Sequence, residues 1–219
     1  MDSPREKQVK CVIYDCDGVL FDSIEANRRL YNHICGAMGR ALLTDEELQY
    51  CHTHTVFESL HYLFSDDDAA EKKALAFLKN QVDLKQFVEH LIMEPHVLQV
   101  LETLRQKKIV TAISTNRTTS MKHVMERFGL WAYFDMVVTA LDVERPKPDK
   151  ESVEKILTAF GLASEEVLFV GDSEVDKQAA EASGVRFVAY KTRHLSDDAF
   201  INDHRALLNL LSNGDALQG

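Results

Sequence analysis

Residues 10–19, KCVIYDCDGV, join a short apolar run to two aspartates and a glycine. An apolar run without alternation is typical of a central strand in a parallel sheet, because both of its faces are covered. Side chains alternate along an extended backbone, so Asp15 and Asp17 lie on one side and Cys16 on the other. Two carboxylates this close repel each other, which indicates a bound cation, a raised pKa on one acid, or both. Gly18 permits a sharp turn behind them; taken alone, the tetrapeptide could equally be a solvated turn.

The chain has 219 residues, enough for one large core and a smaller second domain. Its formal net charge of -10 disfavours nucleic acid and anionic membranes as partners, and a phosphate-bearing substrate would need local cations. No stretch of about 18 apolar residues occurs, and residues 1–7 lack an apolar signal region, so we expect a cytoplasmic protein. The spacing of the four cysteines predicts reduced thiols rather than a structural metal site. The sequence does not indicate the oligomeric state.

The hydrophobic periodicity divides the chain into two regions. After Gly18 it is helical for about 70 residues, and no convincing strand occurs between residues 20 and 95. From His96 onward, amphipathic helices alternate with apolar runs at 109–113, 136–138, 167–170 and 185–189, and 201–211 could form a closing helix. This alternation predicts an α/β fold, a Rossmann-like, doubly wound parallel sheet. We therefore expect a core from residues 1–20 and 95–219 with an all-helical cap from 21–94; residues 213–219 are expected to fray.

Polar side chains follow each of the predicted central strands. In doubly wound sheets a ligand binds beyond the carboxyl ends of the strands. The strand at 109–113 leads into Ser114, Thr115 and Asn116, whose donors suit phosphate oxygens. Further on, Lys147 lies between two prolines, and Asp172 follows the strand at 167–170. We expect these groups to meet Asp15 and Asp17 at one edge of the sheet.

These residues fit one reaction, the hydrolysis of a phosphate monoester. Mg²⁺ would be held by Asp15, Asp172 and the backbone carbonyl of Asp17. Asp15 would attack phosphorus and form an aspartyl-phosphate. Asp17 would serve as acid and then as base, a role that needs a raised pKa. Lys147 and the Thr115 and Asn116 donors would bind the phosphate oxygens.

Four segments resemble the four motifs of the haloacid dehalogenase superfamily, in order: 15–19, 114–116, 147–148 and 171–176. The helical region after the first motif resembles the small cap of phosphoglycolate phosphatases and β-phosphoglucomutases. The resemblance implies a Rossmann-like core, Mg²⁺ dependence and Asp15 as nucleophile. Thr115 is the better match to the second motif, with Ser114 as the alternative. The expected substrate is a small phosphorylated metabolite.

Other functions remain as alternatives. A sugar-phosphate mutase is disfavoured because residues 51–60 lack the glycine and arginine that mutase caps of this type tend to carry. A dehalogenase is disfavoured because halide needs no proton from Asp17. A receiver-like signalling module would need its phosphate-accepting aspartate on a strand soon after the first acids, where this chain is helical. A non-catalytic phosphate-binding protein is also possible, although such proteins usually lose the acids.

Four further residues have open roles at this point. Asp176 is expected to hydrogen-bond to Lys147 or water rather than bind a metal directly. Arg117 could contact substrate or be an exposed arginine at a helix start. His52 and His54 alternate as if on one side of an extended loop, where they could contact substrate, bind a metal or simply pack in the cap.

Overall fold

The computed structural model describes residues 8–196 and 199–212. Strand β1 is Cys11–Tyr14, and it is fully buried, as its unbroken apolar sequence predicts. The other strands are β2 Phe21–Asp22, β3 Ile92–Met93, β4 Val110–Ser114, β5 Met136–Val138, β6 Val167–Gly171, β7 Arg186–Tyr190 and β8 Phe200–Ile201. The α-helices are α1 Ile24–Ala37, α2 Asp45–Thr53, α3 Val56–Leu63, α4 Asp68–Gln81, α5 Lys85–Val88, α6 Val97–Gln106, α7 Ser120–Arg127, α8 Glu151–Phe160, α9 Glu174–Ala182 and α10 Arg205–Ser212.

Six of these strands form one sheet in the order β5-β4-β1-β6-β7-β8, and every neighbouring pair is parallel. Counted along the chain, this is the order 3-2-1-4-5-6 of a doubly wound, Rossmann-like sheet. The predicted fold class is therefore confirmed. The strand order reverses between β1 and β6, which is where such sheets bind ligands.

Alternate residues of β1 point into two hydrophobic cores, one on each face of the sheet. Val12 and Tyr14 pack with apolar residues of α6, α7 and α10. Cys11 and Ile13 pack on the opposite face with apolar residues of α8 and α9. Both faces of the central strand are thus covered, which explains why its sequence shows no alternation.

Helices α1 to α4 share a third hydrophobic cluster, separate from the two that flank the sheet. The helical character of the insert is therefore as predicted. The expectation of no strand between residues 20 and 95 is wrong, because β2 and β3 pair antiparallel where the insert begins and ends. Two-residue strands are too short to leave a periodic signal. Domain boundaries at residues 20/21 and 94/95 remain a proposal.

Buried polar contacts stabilise the two points at which the chain passes between the core and the insert. Glu94, just after β3, accepts hydrogen bonds from the Tyr190 hydroxyl at 2.9 Å and from Lys191 Nζ at 2.7 and 2.8 Å. His204 is fully buried, and its Nε2 lies 2.9 Å from the carbonyl oxygen of Val19. These contacts fix the positions from which the insert extends over the sheet.

The end of the chain differs from its predicted form. The expected helix over 201–211 begins later, at Arg205, because Phe200–Ile201 pairs with β7 as the edge strand β8. The expectations for residues 1–7 and 213–219 lie outside the described residues. None of the helices in the described part of the chain combines the length and apolar character that a membrane crossing needs. All four cysteines are buried and free.

Candidate active site

The carboxyl ends of the central strands open into one cavity of about 830 Å³ between the sheet and the insert. The register aligns Tyr14 of β1 with Ile113 of β4 and Val170 of β6, so the residues after these positions emerge at one level. The cavity is lined by six of the predicted site residues, together with groups from the insert. These six are Asp15, Asp17, Thr115, Asn116, Lys147 and Asp172.

Lys147 lies at the centre of the polar cluster, with its side chain only 2% exposed. Its ammonium group donates to Asp15 Oδ1 at 2.6 Å, to Asp176 Oδ1 at 2.5 Å and to the carbonyl oxygen of Ser114 at 2.9 Å. Burial alone would lower the pKa of Lys147, but the two carboxylates outweigh it and raise that pKa. Lys147 is therefore a charged group that orients Asp15.

Three carboxylates, Asp15, Asp172 and Asp176, place one oxygen each within 4.8 Å of one another. Burial is the main cause that raises the pKa of Asp15 to about 7, and the neighbouring acids add to it. Burial, and then Asp176 and Asp15, also raise the pKa of Asp172 well above its usual value. Carboxylates that repel each other in this way fit a divalent cation, which would neutralise them.

Asp176 is fixed on both of its oxygens. Oδ1 accepts from Lys147, and Oδ2 accepts from the Ser173 hydroxyl at 2.5 Å and the Ser173 backbone N–H at 3.2 Å. The latter bonds belong to the capping box that starts α9. With its oxygens used in this way, Asp176 is better suited to orient Lys147 than to bind a metal, as the sequence suggested.

Asp17 has a different environment from the one expected. Arg117 Nη2 donates to Asp17 Oδ1 at 2.5 Å, and the two side chains are only 11% and 13% exposed. Burial would raise the pKa of Asp17, but Arg117 outweighs it, so the pKa of Asp17 is lowered. The expectation of a raised pKa on Asp17 is thus wrong in this structure, and so is the reading of Arg117 as exposed. The raised pKa values belong to Asp15 and Asp172.

The two hydroxyl residues after β4 point in different directions. Ser114 is fully buried, and its Oγ lies 2.8 Å from Ser152 Oγ, so its side chain does not line the cavity. Thr115 does line it, and its Oγ1 accepts from the Arg117 backbone N–H at 3.1 Å. Since β4 ends at Ser114, alternation turns one hydroxyl to the helix side and the next to the cavity. The geometry favours Thr115 over Ser114 as the phosphate contact.

Asn116 joins three parts of the site. Its Nδ2 donates to the carbonyl oxygen of Lys147 at 3.0 Å and to that of Thr53, in the insert, at 3.3 Å. Its amide nitrogen is therefore occupied by backbone groups. This arrangement suits a residue that positions the Lys147 loop rather than one whose amide N–H groups donate to phosphate.

His52 and His54 line the insert side of the cavity but do not lie on an extended loop. His52 belongs to α2, and its Nδ1 lies 3.0 Å from Asn27 Nδ2. His54 follows the helix and stacks on Tyr50 with ring centroids 3.9 Å apart. In the described part of the chain, the candidate metal site is the acid cluster of Asp15, Asp172 and Asp176. Neither histidine belongs to this cluster.

Two contacts at the site were not evident in the sequence. The burial of Arg117 against Asp17 had no signal beyond its position directly after the second motif. The sequence predicted only one of the two roles of Gly18. Its φ of +77 forms the expected sharp turn, but a Cβ at this position would also lie 1.9 Å from Asp172 Oδ2. Gly18 thus lets Asp172 approach the backbone of the first motif.

The fold and this site define a hydrolase of the haloacid dehalogenase type. Residues 12–190 match the haloacid dehalogenase-like hydrolase family, and the chain belongs to that family. The resemblance found in the sequence is therefore confirmed.

Individual relatives agree with this assignment. A haloacid dehalogenase superfamily hydrolase of subfamily IA from Geobacter sulfurreducens is 41% identical, with a TM-score of 0.75 over 93% of this chain and 96% of that chain. A putative pyrophosphatase PpaX from Caldanaerobacter subterraneus is 35% identical over 54% of this chain, and the match spans 58% of the relative's length. A phosphoglycolate phosphatase from Pseudomonas savastanoi is 24% identical over 84% of this chain and 70% of its own length.

Proposed function

We propose that this chain is a Mg²⁺-dependent phosphomonoester hydrolase that acts on a small phosphorylated metabolite through a phosphorylated Asp15. The observation that carries the proposal is the placement of Asp15, within 2.6 Å of Lys147 and beside Asp172, at the floor of a large cavity. The names of the relatives, a phosphoglycolate phosphatase and a putative pyrophosphatase, support phosphate-ester or phosphoanhydride hydrolysis. A cytoplasmic location remains a prediction.

Asp15 and Asp172 fit the proposed Mg²⁺. Both provide hard carboxylate oxygens, which this ion prefers, and both have pKa values raised by burial and mutual repulsion. The backbone carbonyl of Asp17 remains the proposed third protein ligand. When bound, the ion would supply positive charge that neutralises the acids and polarises a phosphoryl oxygen.

In the first proposed step, an Asp15 oxygen attacks phosphorus while the bond from phosphorus to the leaving oxygen breaks. One Asp15 oxygen is held by Lys147 and the carboxylate is thereby oriented for in-line attack. The Thr115 hydroxyl, which lines the cavity, would bind an equatorial oxygen. The three N–H groups of Lys147 are used by Asp15, Asp176 and the Ser114 carbonyl, so Lys147 would stabilise the changing charge on these oxygens as a nearby cation. In the second step, water attacks the same phosphorus and releases phosphate and free Asp15.

Asp17 is proposed to move the two protons. It would give one to the leaving alcohol in the first step and take one from the attacking water in the second. As found, paired with Arg117 and with a lowered pKa, Asp17 is suited to the second step. The first step requires a protonated Asp17, and therefore separation of the Asp17 carboxyl from Arg117.

Metal removal tests this proposal directly. With p-nitrophenyl phosphate as the probe, we expect the purified chain to release p-nitrophenol in millimolar MgCl₂. Excess EDTA should reduce the rate by about 10³-fold or more, because the acid cluster then repels the phosphate dianion. Readdition of MgCl₂ should restore the rate. Turnover that persists after chelation would contradict the metal-dependent reaction.

The same assay should show competition between protons and the metal. Because the pKa of metal-free Asp15 is about 7, this carboxyl holds a proton over most of the range below pH 7. The Mg²⁺ concentration for half-maximal rate should therefore rise as the pH falls from 8 to 6. A requirement that does not change with pH would show that Asp15 is not a metal ligand.

Replacement of Gly18 should weaken the metal site. In Gly18→Ala, the new methyl group would displace Asp172, whose Oδ2 lies 1.9 Å from the position that the Cβ would take. We expect the Mg²⁺ concentration for half-maximal rate to rise by about tenfold or more, since even changes to the groups that surround metal ligands typically cost about 10–100-fold in metal affinity or activity.

Gly39→Ala is the matched control. Gly39 has φ +72, close to the +77 of Gly18, but a Cβ there would meet nothing within 4 Å. Both variants bear the strain of a left-handed alanine, about 1–2 kcal/mol, and both should lower the melting temperature. Only Gly18→Ala should change the Mg²⁺ requirement; an equal change in Gly39→Ala would show that strain alone is responsible.

A further inference from the structure

The cavity continues well beyond the acid cluster, into the helices of the insert. Its volume of about 830 Å³ lies in the upper part of the range of ~300–1,000 Å³ that is usual for sites of drug-sized ligands. A phosphoryl group and a metal ion bound at the acid cluster would fill only a small part of it. The remaining space is available to the leaving group of the substrate, to which the phosphate is attached.

The wall of this remaining space is largely apolar. Aliphatic and aromatic side chains of the insert form most of it, among them Leu30, Val56, Phe57, Leu75 and Leu78, and the core adds Leu141. Phe57 from the insert is 51% exposed and Leu141 from the core is 53% exposed. Both large apolar side chains line the same cavity, so a ligand that contacts them would remove apolar surface from water.

Two of the three lysine and arginine side chains that line the cavity are paired with acids of the same site. Among the described residues that line it, the lysine and arginine side chains are Lys79, Arg117 and Lys147. Arg117 is paired with Asp17 at 2.5 Å, and Lys147 is paired with Asp15 and Asp176. Lys79 is exposed and shares the wall with Asp83, an acid.

The histidine nearest the acid cluster on the insert side adds no positive charge. Burial lowers the pKa of His52, so its imidazole is neutral. Asn27 Nδ2 can only donate, so Nδ1 of His52 accepts and the ring proton lies on Nε2. The wall therefore offers His52 as a neutral N–H donor, not as a cation that would neutralise a carboxylate.

From these observations we propose that the leaving group of the natural substrate is bulky, uncharged and largely apolar, and that the cavity discriminates against leaving groups that carry a carboxylate or a second phosphate. The inference rests on the proposed phosphatase function and deepens it. The proposed substrate differs from those in the relatives' names, since the leaving groups of phosphoglycolate and pyrophosphate are both anionic.

The test compares two substrates of nearly equal shape, para-tolyl phosphate and para-carboxyphenyl phosphate. Their leaving groups differ mainly in one negative charge, which would have to be buried against an apolar wall. We expect kcat/KM for the tolyl ester to be about tenfold or more higher, a discrimination of the size that buried polar mismatches produce. Naphthyl phosphate should be at least as good a substrate as the tolyl ester, while phosphoglycolate and pyrophosphate should be poor.

Substitutions at Phe57 locate the discrimination in the wall. Phe57→Ala should lower kcat/KM for naphthyl phosphate by about tenfold, since most of an aromatic contact is lost, and should change that for methyl phosphate little. Phe57→Lys places a cation in the same wall and should shift the preference toward para-carboxyphenyl phosphate. Leu42→Ala is the control, because Leu42 is 66% exposed on the insert but does not line the cavity.

The outcomes separate the inference from the function on which it rests. Faster turnover of phosphoglycolate, pyrophosphate or the carboxyphenyl ester by the unaltered chain would overturn the inference and leave the phosphatase intact. Equal effects of Phe57→Ala on naphthyl and methyl phosphate, with the melting temperature unchanged, would also overturn it. Release of phosphate from none of these esters in MgCl₂ would overturn the proposed function itself.

Discussion

Asp15→Asn is expected to reduce the turnover of p-nitrophenyl phosphate by about 10³-fold or more, because an amide oxygen cannot replace the carboxylate as a nucleophile. The fold should survive the change, since asparagine is nearly isosteric and Lys147 keeps its bonds to Asp176 and the Ser114 carbonyl. The loss should be in kcat rather than in KM. Steady-state kinetics together with a circular dichroism melt would measure both effects.

Two further variants make this result decisive. Asp15→Ala excludes activity that arises from slow deamidation of the asparagine back to aspartate. Asp66→Asn makes the same chemical change at an exposed acid of the insert and should leave kcat unaltered. Near-normal turnover in Asp15→Ala would show that another group attacks the phosphorus.

Lys147→Met should cause the largest loss of stability of any single change at the site. Its removal leaves Asp15 and Asp176 as buried carboxylates without their cation. Breaking a buried ion pair in this way typically costs about 3–5 kcal/mol, a large part of the ~5–15 kcal/mol that stabilises a domain. Urea unfolding should show this as a lower midpoint with an unchanged slope.

Lys122→Met is the matched control for this loss. Lys122 forms an exposed pair with Glu126 on α7, and such pairs contribute about 0.3–0.5 kcal/mol. The double variant Lys147→Met with Asp176→Asn removes one of the stranded charges and should recover part of the stability. If Lys147→Met and Lys122→Met lowered the free energy of unfolding equally, the buried cluster would have no special electrostatic role.

The fold was readable from the sequence because its signals are local. The unalternating run of β1 and the regular change between helix and strand after His96 are enough to predict a doubly wound sheet. The errors are at short or edge elements: β2 and β3 have two residues each, and Ile201 belongs to an edge strand rather than to the closing helix. Elements this short are decided by their partners across the sheet, which periodicity does not report.

The sequence predicted which residues converge at the site better than it predicted their pKa values. The convergence of Asp15, Lys147 and Asp172 follows from the common end of parallel strands, and the structure places all three in one cavity. The pKa order of Asp15 and Asp17 was not predictable, because it depends on Arg117, whose side chain could have pointed to solvent. Likewise, only the register after β4 shows that Ser114 turns inward and Thr115 turns toward the cavity.

The apolar wall of the cavity also could not be predicted from the sequence. Phe57 and Leu141 are far apart in the chain, and nothing local in either segment indicates that they line the same cavity. They share it because of the way the helical insert packs over the sheet. Specificity is therefore the part of the function that required the three-dimensional arrangement.

In the proposed mechanism, Asp15 itself becomes phosphorylated during turnover. Borohydride reduces an aspartyl-phosphate to homoserine, so adding it to the protein during turnover of p-nitrophenyl phosphate in MgCl₂ should mark the phosphorylated residue. Mass spectrometry of the peptides should find homoserine at position 15 and nowhere else, and only when substrate is present. Conversion of Asp17 or Asp172 instead, or no conversion under full turnover, would show that Asp15 is not the nucleophile.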